Sequence, residues 1–77
     1  MEVDSKIMRV SKDAVTRDDL RAMAVGQKID FELPGKGQFE SARSAAGQMK
    51  FERMKFTTKF TGDLENDKWS ILIIRVE

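Results

Sequence analysis

The chain has 77 residues, of which 40% are hydrophobic and 35% charged, and its formal net charge is +1. It contains no histidine, cysteine or tyrosine, so the usual zinc and transition-metal ligands and the commonest acid–base and nucleophilic catalysts are missing. We therefore expect one small domain over residues 1–77 that is not an enzyme and holds no metal or cofactor.

The N-terminal segment lacks the basic start and apolar run of a signal peptide, and no apolar stretch approaches the length of a membrane span. These features predict a cytoplasmic protein that does not bind a membrane. A domain of this length buries only about 60% of the surface of its unfolded chain. Because the core is thin, a partner subunit is one way to complete it.

The first half of the chain predicts a strand, a helix and a second strand. Residues 6–10 (KIMRV) are apolar and β-branched enough for a first strand. Thr16 is placed to cap a short helix over residues 17–24, and Gly26 to end it. In Lys28–Leu33, apolar and charged residues alternate, which is typical of a strand with one buried face.

The second half predicts a long helix followed by a β-hairpin. Over residues 38–54, apolar residues recur at helical spacing and include two alanines, which favours close packing on a sheet. Residues 55–60 alternate as a third strand, residues 61–68 form a polar loop, and residues 69–76 (WSILIIRV) form a last strand that is apolar on both faces. Such a strand lies in the centre of a sheet or has one face closed by a second subunit.

The predicted order of elements is β-α-β-α-β-β. With the helices on one face of a small antiparallel or mixed sheet, this order predicts an α+β fold. A long helix followed by a hairpin is also how a recognition helix and its wing are encoded, so the prediction includes a winged-helix-like variant.

Three sequence features resemble functional motifs but match them poorly. Ser41 and Ser44 lie in a helix without a histidine to activate them. The acidic residues of the polar loop, Asp63, Glu65 and Asp67, lack the length, central glycine and terminal glutamate of a calcium loop. We interpret the serines as structural and the loop as a solvated turn.

The third feature is the turn over residues 34–37 (PGKG), which precedes the long helix. Backbone amides at a helix start can hold a phosphate, but the Lys-Ser/Thr pair of a P-loop is missing here. An ordinary strand-to-helix turn is the main interpretation, and a phosphate contact by Lys36 is the alternative.

Positive charge is concentrated in the middle of the chain, where residues 35–60 carry six basic and two acidic side chains. On the long helix, the polar face offers cations and hydrogen-bonding groups of the kind that contact phosphates and base edges. The third strand adds two lysines along one face. These residues predict a nucleic-acid surface, with DNA as the expected partner, made of Lys36, Arg43, Ser44, Gln48, Lys50, Lys55 and Lys59.

The C-terminal half also resembles a known kind of domain. The stretch SARSAAGQMKFERMKFTTKF, followed by a polar turn and ILIIRVE, is similar to small winged-helix-like domains of phages and conjugative elements. This resemblance implies a DNA-associated role through the helix and hairpin, and it corresponds to Arg43, Ser44, Lys55 and Lys59. The acidic loop departs from a typical basic wing.

The alternative hypothesis is a protein-interaction or homodimerisation module with no nucleic-acid role. It follows from the thin core and from the last strand, which is apolar on both faces. Exposed apolar groups commonly form interfaces, and the residues predicted to do so are Phe51 and Trp69.

Overall fold

The computed structural model describes residues 7–77 and confirms an α+β domain with the predicted order of elements. The strands are β1 (Met8–Ser11), β2 (Lys28–Leu33), β3 (Phe56–Phe60) and β4 (Trp69–Arg75). The helices are α1 (Arg17–Arg21) and α2 (Lys36–Gln48), and a 3₁₀ turn (Met49–Glu52) follows α2. In the part of the chain that the structure describes, no helix has the length and apolar character needed to cross a bilayer.

Most element bounds differ from the prediction by a few residues. β1 begins two residues later than predicted, and Lys6 lies outside the described residues. α1 ends at Arg21, three residues early. α2 begins two residues early and ends at Gln48, because the chain tightens into the 3₁₀ turn and then reverses at Arg53.

The four strands form one mixed sheet in the order β1-β2-β4-β3. β1 and β2 are parallel, whereas β4 is antiparallel to both β2 and β3. The hairpin of β3 and β4 is therefore built into the sheet, with β4 in its centre. A central position is one of the two that the apolar sequence of β4 predicts.

Both helices cover the same face of the sheet, and the core lies between the two layers. The central strand contributes Ile71 and Ile73, which are fully buried, and its neighbour β2 contributes Ile29, Phe31 and Leu33. Burying side chains of this size stabilises the fold by about 1.5–3 kcal/mol each. Within residues 7–77, no helix covers the opposite face of the sheet.

Local hydrogen bonds fix the start of α1 as the sequence predicts. Thr16 caps the helix, and the side chain of Asp19 accepts a hydrogen bond from the Thr16 backbone N–H at 2.9 Å. Lys12 Nζ lies 2.6 Å from Asp19 Oδ1. Partial burial raises the pKa of Asp19, but the hydrogen bonds from Lys12 and Thr16 outweigh it and hold that pKa below its usual value.

Candidate nucleic-acid interface

The helix α2 presents most of the predicted site residues to solvent. Its inner side, with Phe39, Ala42 and Ala46, is buried against the sheet. Lys36, Arg43, Ser44 and Gln48, together with Lys50 in the 3₁₀ turn, are all exposed. The helical periodicity therefore identifies correctly which side of α2 is free.

The two flanks of α2 face different neighbours. On one flank, Gln48 Oε1 accepts a hydrogen bond from Arg17 of α1. Toward the other flank, the ring of Phe39 packs edge-on against Phe60 of β3, with centroids 5.4 Å apart. One flank of α2 is thus directed toward α1 and the other toward β3, at the edge of the sheet.

Three cations share the flank that faces β3. Lys36 and Arg43 are seven residues apart in α2, which is close to two helical turns, so they lie in one line. At 100° per residue, this line falls on the Phe39 side of α2 and away from the Gln48 side, and Lys50 follows seven residues later in the 3₁₀ turn. We call Lys36, Arg43 and Lys50 the basic flank.

Within residues 7–77, no ion pair neutralises the charges of the basic flank. In residues 7–77, the cations that lie within 4 Å of a carboxylate are Lys12, Arg21 and Lys55. Glu40 lies on the exposed side of α2 between Lys36 and Arg43 and lowers the net charge there. Among the described residues, no carboxylate pairs with the three ammonium and guanidinium groups, so an anion can approach them.

Ser44 and Gln48 are placed differently from the basic flank. Ser44 lies on the outermost side of α2, next to Arg43, whereas Gln48 is engaged by Arg17. Sequence reasoning missed Arg17, because nothing in the sequence indicates that the start of α1 lies beside the end of α2. The structure adds an exposed cation to the α1 side of the helical layer.

Lys55 and Lys59 do not join the α2 residues, contrary to the single helix-and-hairpin surface that we predicted. Lys59 pairs with Leu72 in the sheet register, and both side chains point away from the helices. Lys55 precedes β3 on the same face and lies 3.7 Å from Glu77. The sheet itself separates these two lysines from the basic flank.

The two residues predicted as an interface also have different environments. Phe51 is 80% exposed, with Lys50 Nζ 5.6 Å from the centroid of its ring. Trp69 instead packs against Phe39 and Phe60, with ring centroids 5.5 Å away in each case, and its indole N–H donates to Asp67 at 3.0 Å. Trp69 therefore belongs to the edge of the core.

An ion cluster ties α1 to the end of α2. The Arg21 guanidinium donates to both carboxylate oxygens of Glu52 at 2.7 Å and to Asp18 at 2.5 Å. The hydrogen bond from Arg21 lowers the pKa of Glu52 and raises that of Arg21. Glu52 is thereby neutralised by a partner, so it does not oppose the charge of the basic flank.

Comparison with family models, with curated proteins and with solved structures finds no match to this chain.

Proposed function

We propose that the chain binds nucleic acid, with duplex DNA as the expected ligand, through the basic flank of α2. The observation that carries this proposal is the line of three exposed cations, Lys36, Arg43 and Lys50, none of which is paired with a carboxylate within the described part of the chain. Cations of this kind release counterions from the phosphate backbone, which is the main source of sequence-independent affinity.

The position of α2 suits a groove of the duplex. The helix is the outer layer of the domain, and a major groove about 12 Å wide admits an α-helix. With the basic flank against one phosphate wall, Ser44 lies next to Arg43 on the outer side, from where a hydroxyl can hydrogen-bond a base edge. Lys55 and Lys59 lie across the sheet and take no part in this mode of binding.

Salt dependence tests the proposal directly. With three phosphates neutralised, the affinity for a short DNA duplex should fall with salt at a log–log slope of about −2.7. Arg43→Ala should weaken binding to all sequences and reduce the slope by roughly one unit. Both quantities can be measured by fluorescence anisotropy over a series of salt concentrations.

The matched control is Lys68→Ala, which removes one exposed positive charge from the hairpin loop. This variant has the same net charge as Arg43→Ala and should bind like the unmodified chain. Equal losses in the two variants would mean that only net charge matters. An affinity for DNA that does not change with salt concentration would rule out the basic flank as a phosphate-contacting surface.

A further inference from the structure

The sheet face that no helix of residues 7–77 covers is a second surface, built mostly from residues outside the predicted nucleic-acid site. The register places on it the outward side chains of all four strands: Arg9 and Ser11 from β1, Lys28, Asp30 and Glu32 from β2, Ser70, Leu72 and Ile74 from β4, and Thr57 and Lys59 from β3. We call this surface the open face.

The centre of the open face is apolar. Leu72 and Ile74 point outward from the central strand and are only half-buried. Val76, at the next outward position after β4, is 47% exposed. A strand face that meets water in an antiparallel sheet is normally polar, so two large aliphatic side chains in the middle of the sheet suggest that something covers them.

Charges are distributed unequally on the two sides of this apolar centre. On the β2 side, Asp30 and Glu32 each accept a hydrogen bond at 2.9 Å, from Thr61 and Ser11 respectively, and neither forms an ion pair in residues 7–77. On the β3 side, Lys59 is exposed and lacks a carboxylate partner among the same residues. Arg9 and Lys28 also lie on the β2 side, so the charge there is mixed. At the register position of Leu72, however, β2 carries a carboxylate and β3 an ammonium group.

We propose that two copies of the chain pack open face to open face, about a two-fold axis parallel to β4. Because β2 and β3 lie about 4.8 Å on either side of β4, this rotation lays β3 of each copy over β2 of the other. Asp30 and Lys59 both share the register position of Leu72. Lys59 of each copy therefore faces Asp30 of the other, and Leu72 meets Leu72.

The neighbouring positions are also compatible with this arrangement. Lys28 and Thr57 share the register position of Ile74, so Lys28 of one copy faces Thr57 of the other. A two-fold axis perpendicular to the strands would instead place Lys59 on Lys59 and Asp30 on Asp30, and like charges at an interface are strongly unfavourable. The charge pattern therefore selects the parallel axis, and the product is an aligned sandwich of two sheets about 10 Å apart.

Charge reversal tests the interface, because the two-fold axis produces the contact between Lys59 and Asp30 twice. Lys59→Asp places two carboxylates together at both contacts, and Asp30→Lys places two ammonium groups together. Each variant alone should dissociate at a concentration about tenfold higher than the unmodified chain, or more. An equimolar mixture of the two variants should associate again, because both contacts then join opposite charges. Sedimentation velocity without nucleic acid measures all three samples.

Two further variants distinguish loss of the interface from general effects of charge and of unfolding. Glu65→Lys makes the same charge change as Asp30→Lys in the exposed hairpin loop and should leave self-association unchanged. Leu72→Lys removes the apolar centre and should give a monomer, with circular dichroism showing that the fold is retained. A monomeric unmodified chain, or a mixture of the two reversed variants that stays monomeric, would overturn the proposal. Neither result would affect nucleic-acid binding by the basic flank.

Discussion

Arg53 ends the 3₁₀ turn after α2 with a left-handed backbone, at φ 63° and ψ 27°. The backbone N–H of Met54 donates to the Met49 carbonyl at 3.2 Å, and that of Arg53 donates to Lys50 at 3.0 Å, as in a Schellman motif. Glycine is the usual residue here, since a side chain makes the left-handed conformation about 1–2 kcal/mol less favourable. Arginine therefore occupies this position at some expense of stability.

We expect Arg53→Gly to raise the free energy of unfolding by roughly 0.5–1 kcal/mol. Relief of the left-handed strain exceeds the extra flexibility that glycine gives the unfolded chain. Urea denaturation followed by circular dichroism measures the change. Arg53→Ala is the control, because alanine keeps the strain and should bring no gain, and an equal gain in both variants would contradict the explanation.

The same residue shows why the end of α2 could not be predicted. The apolar stripe of Phe39, Ala42, Ala46 and Met49 identifies the buried side correctly, and all four residues are in the core. The helical spacing nevertheless predicts a helix to residue 54, because no glycine or proline lies between Gly47 and that residue. A non-glycine residue in the left-handed conformation leaves no compositional signal, so this boundary depends on tertiary contacts.

At the scale of elements, the hairpin of β3 and β4 depends on one close backbone approach. Asp63 and Lys68 pair across the loop, with N–H to carbonyl distances of 2.9 and 2.8 Å. A Cβ atom on Gly62 would lie 2.1 Å from the Lys68 carbonyl oxygen. No side chain fits there without moving the backbone.

Gly62→Ala should therefore lower the free energy of unfolding by about 2 kcal/mol, in the range of overpacked sites. Gly47→Ala is the matched control in α2, where a Cβ atom would meet nothing within 4 Å. Alanine inside an exposed helix should raise stability by roughly 0.5–1 kcal/mol. Urea denaturation should show changes of opposite sign in the free energy of unfolding of the two variants. An unchanged free energy of unfolding in Gly62→Ala would show that the loop can open to make room for the side chain.

The pairing of elements explains what sequence patterns missed in the candidate site. Alternation assigns Lys55, Thr57 and Lys59 to one side of their strand, as the structure shows. Because Phe56 and Phe60 lie on the other side of β3 and pack against the core, the lysines face away from the helices. They therefore fall on the open face, and a surface expected to be continuous is divided by the sheet.

At the scale of the whole molecule, the sheet order determines which surfaces exist. The fold class follows from periodicity alone, since each element buries one side. The order β1-β2-β4-β3 depends on contacts between residues that are far apart in the chain, such as Ile29 with Ile73. The open face is a consequence of that order, so no local pattern could reveal it, whereas the seven-residue spacing of the basic flank can be read in the sequence.

The free energy of unfolding of the whole domain should also decrease at acid pH. Asp19, Glu52 and Asp63 all have folded-state pKa values below their ordinary ones. As the pH falls through about 4, these carboxylates take up protons in the unfolded chain before they do so in the folded chain. Acid therefore favours unfolding. The stabilisation that these carboxylates provide is present above their unfolded-state pKa values and is lost as the pH falls through their lower, folded-state pKa values.

Glu52→Gln identifies one source of this acid sensitivity. It replaces the carboxylate that receives two hydrogen bonds from Arg21. The variant should be less stable than the unmodified chain near neutral pH and should lose less stability between pH values of about 6 and 3, because one shifted carboxylate is missing. Urea midpoints across that range measure both effects. The control is Glu65→Gln in the hairpin loop, whose urea midpoints should change with pH as those of the unmodified chain do. If the midpoints of Glu52→Gln also ran parallel to those of the unmodified chain, the Arg21 contact would contribute nothing to stability.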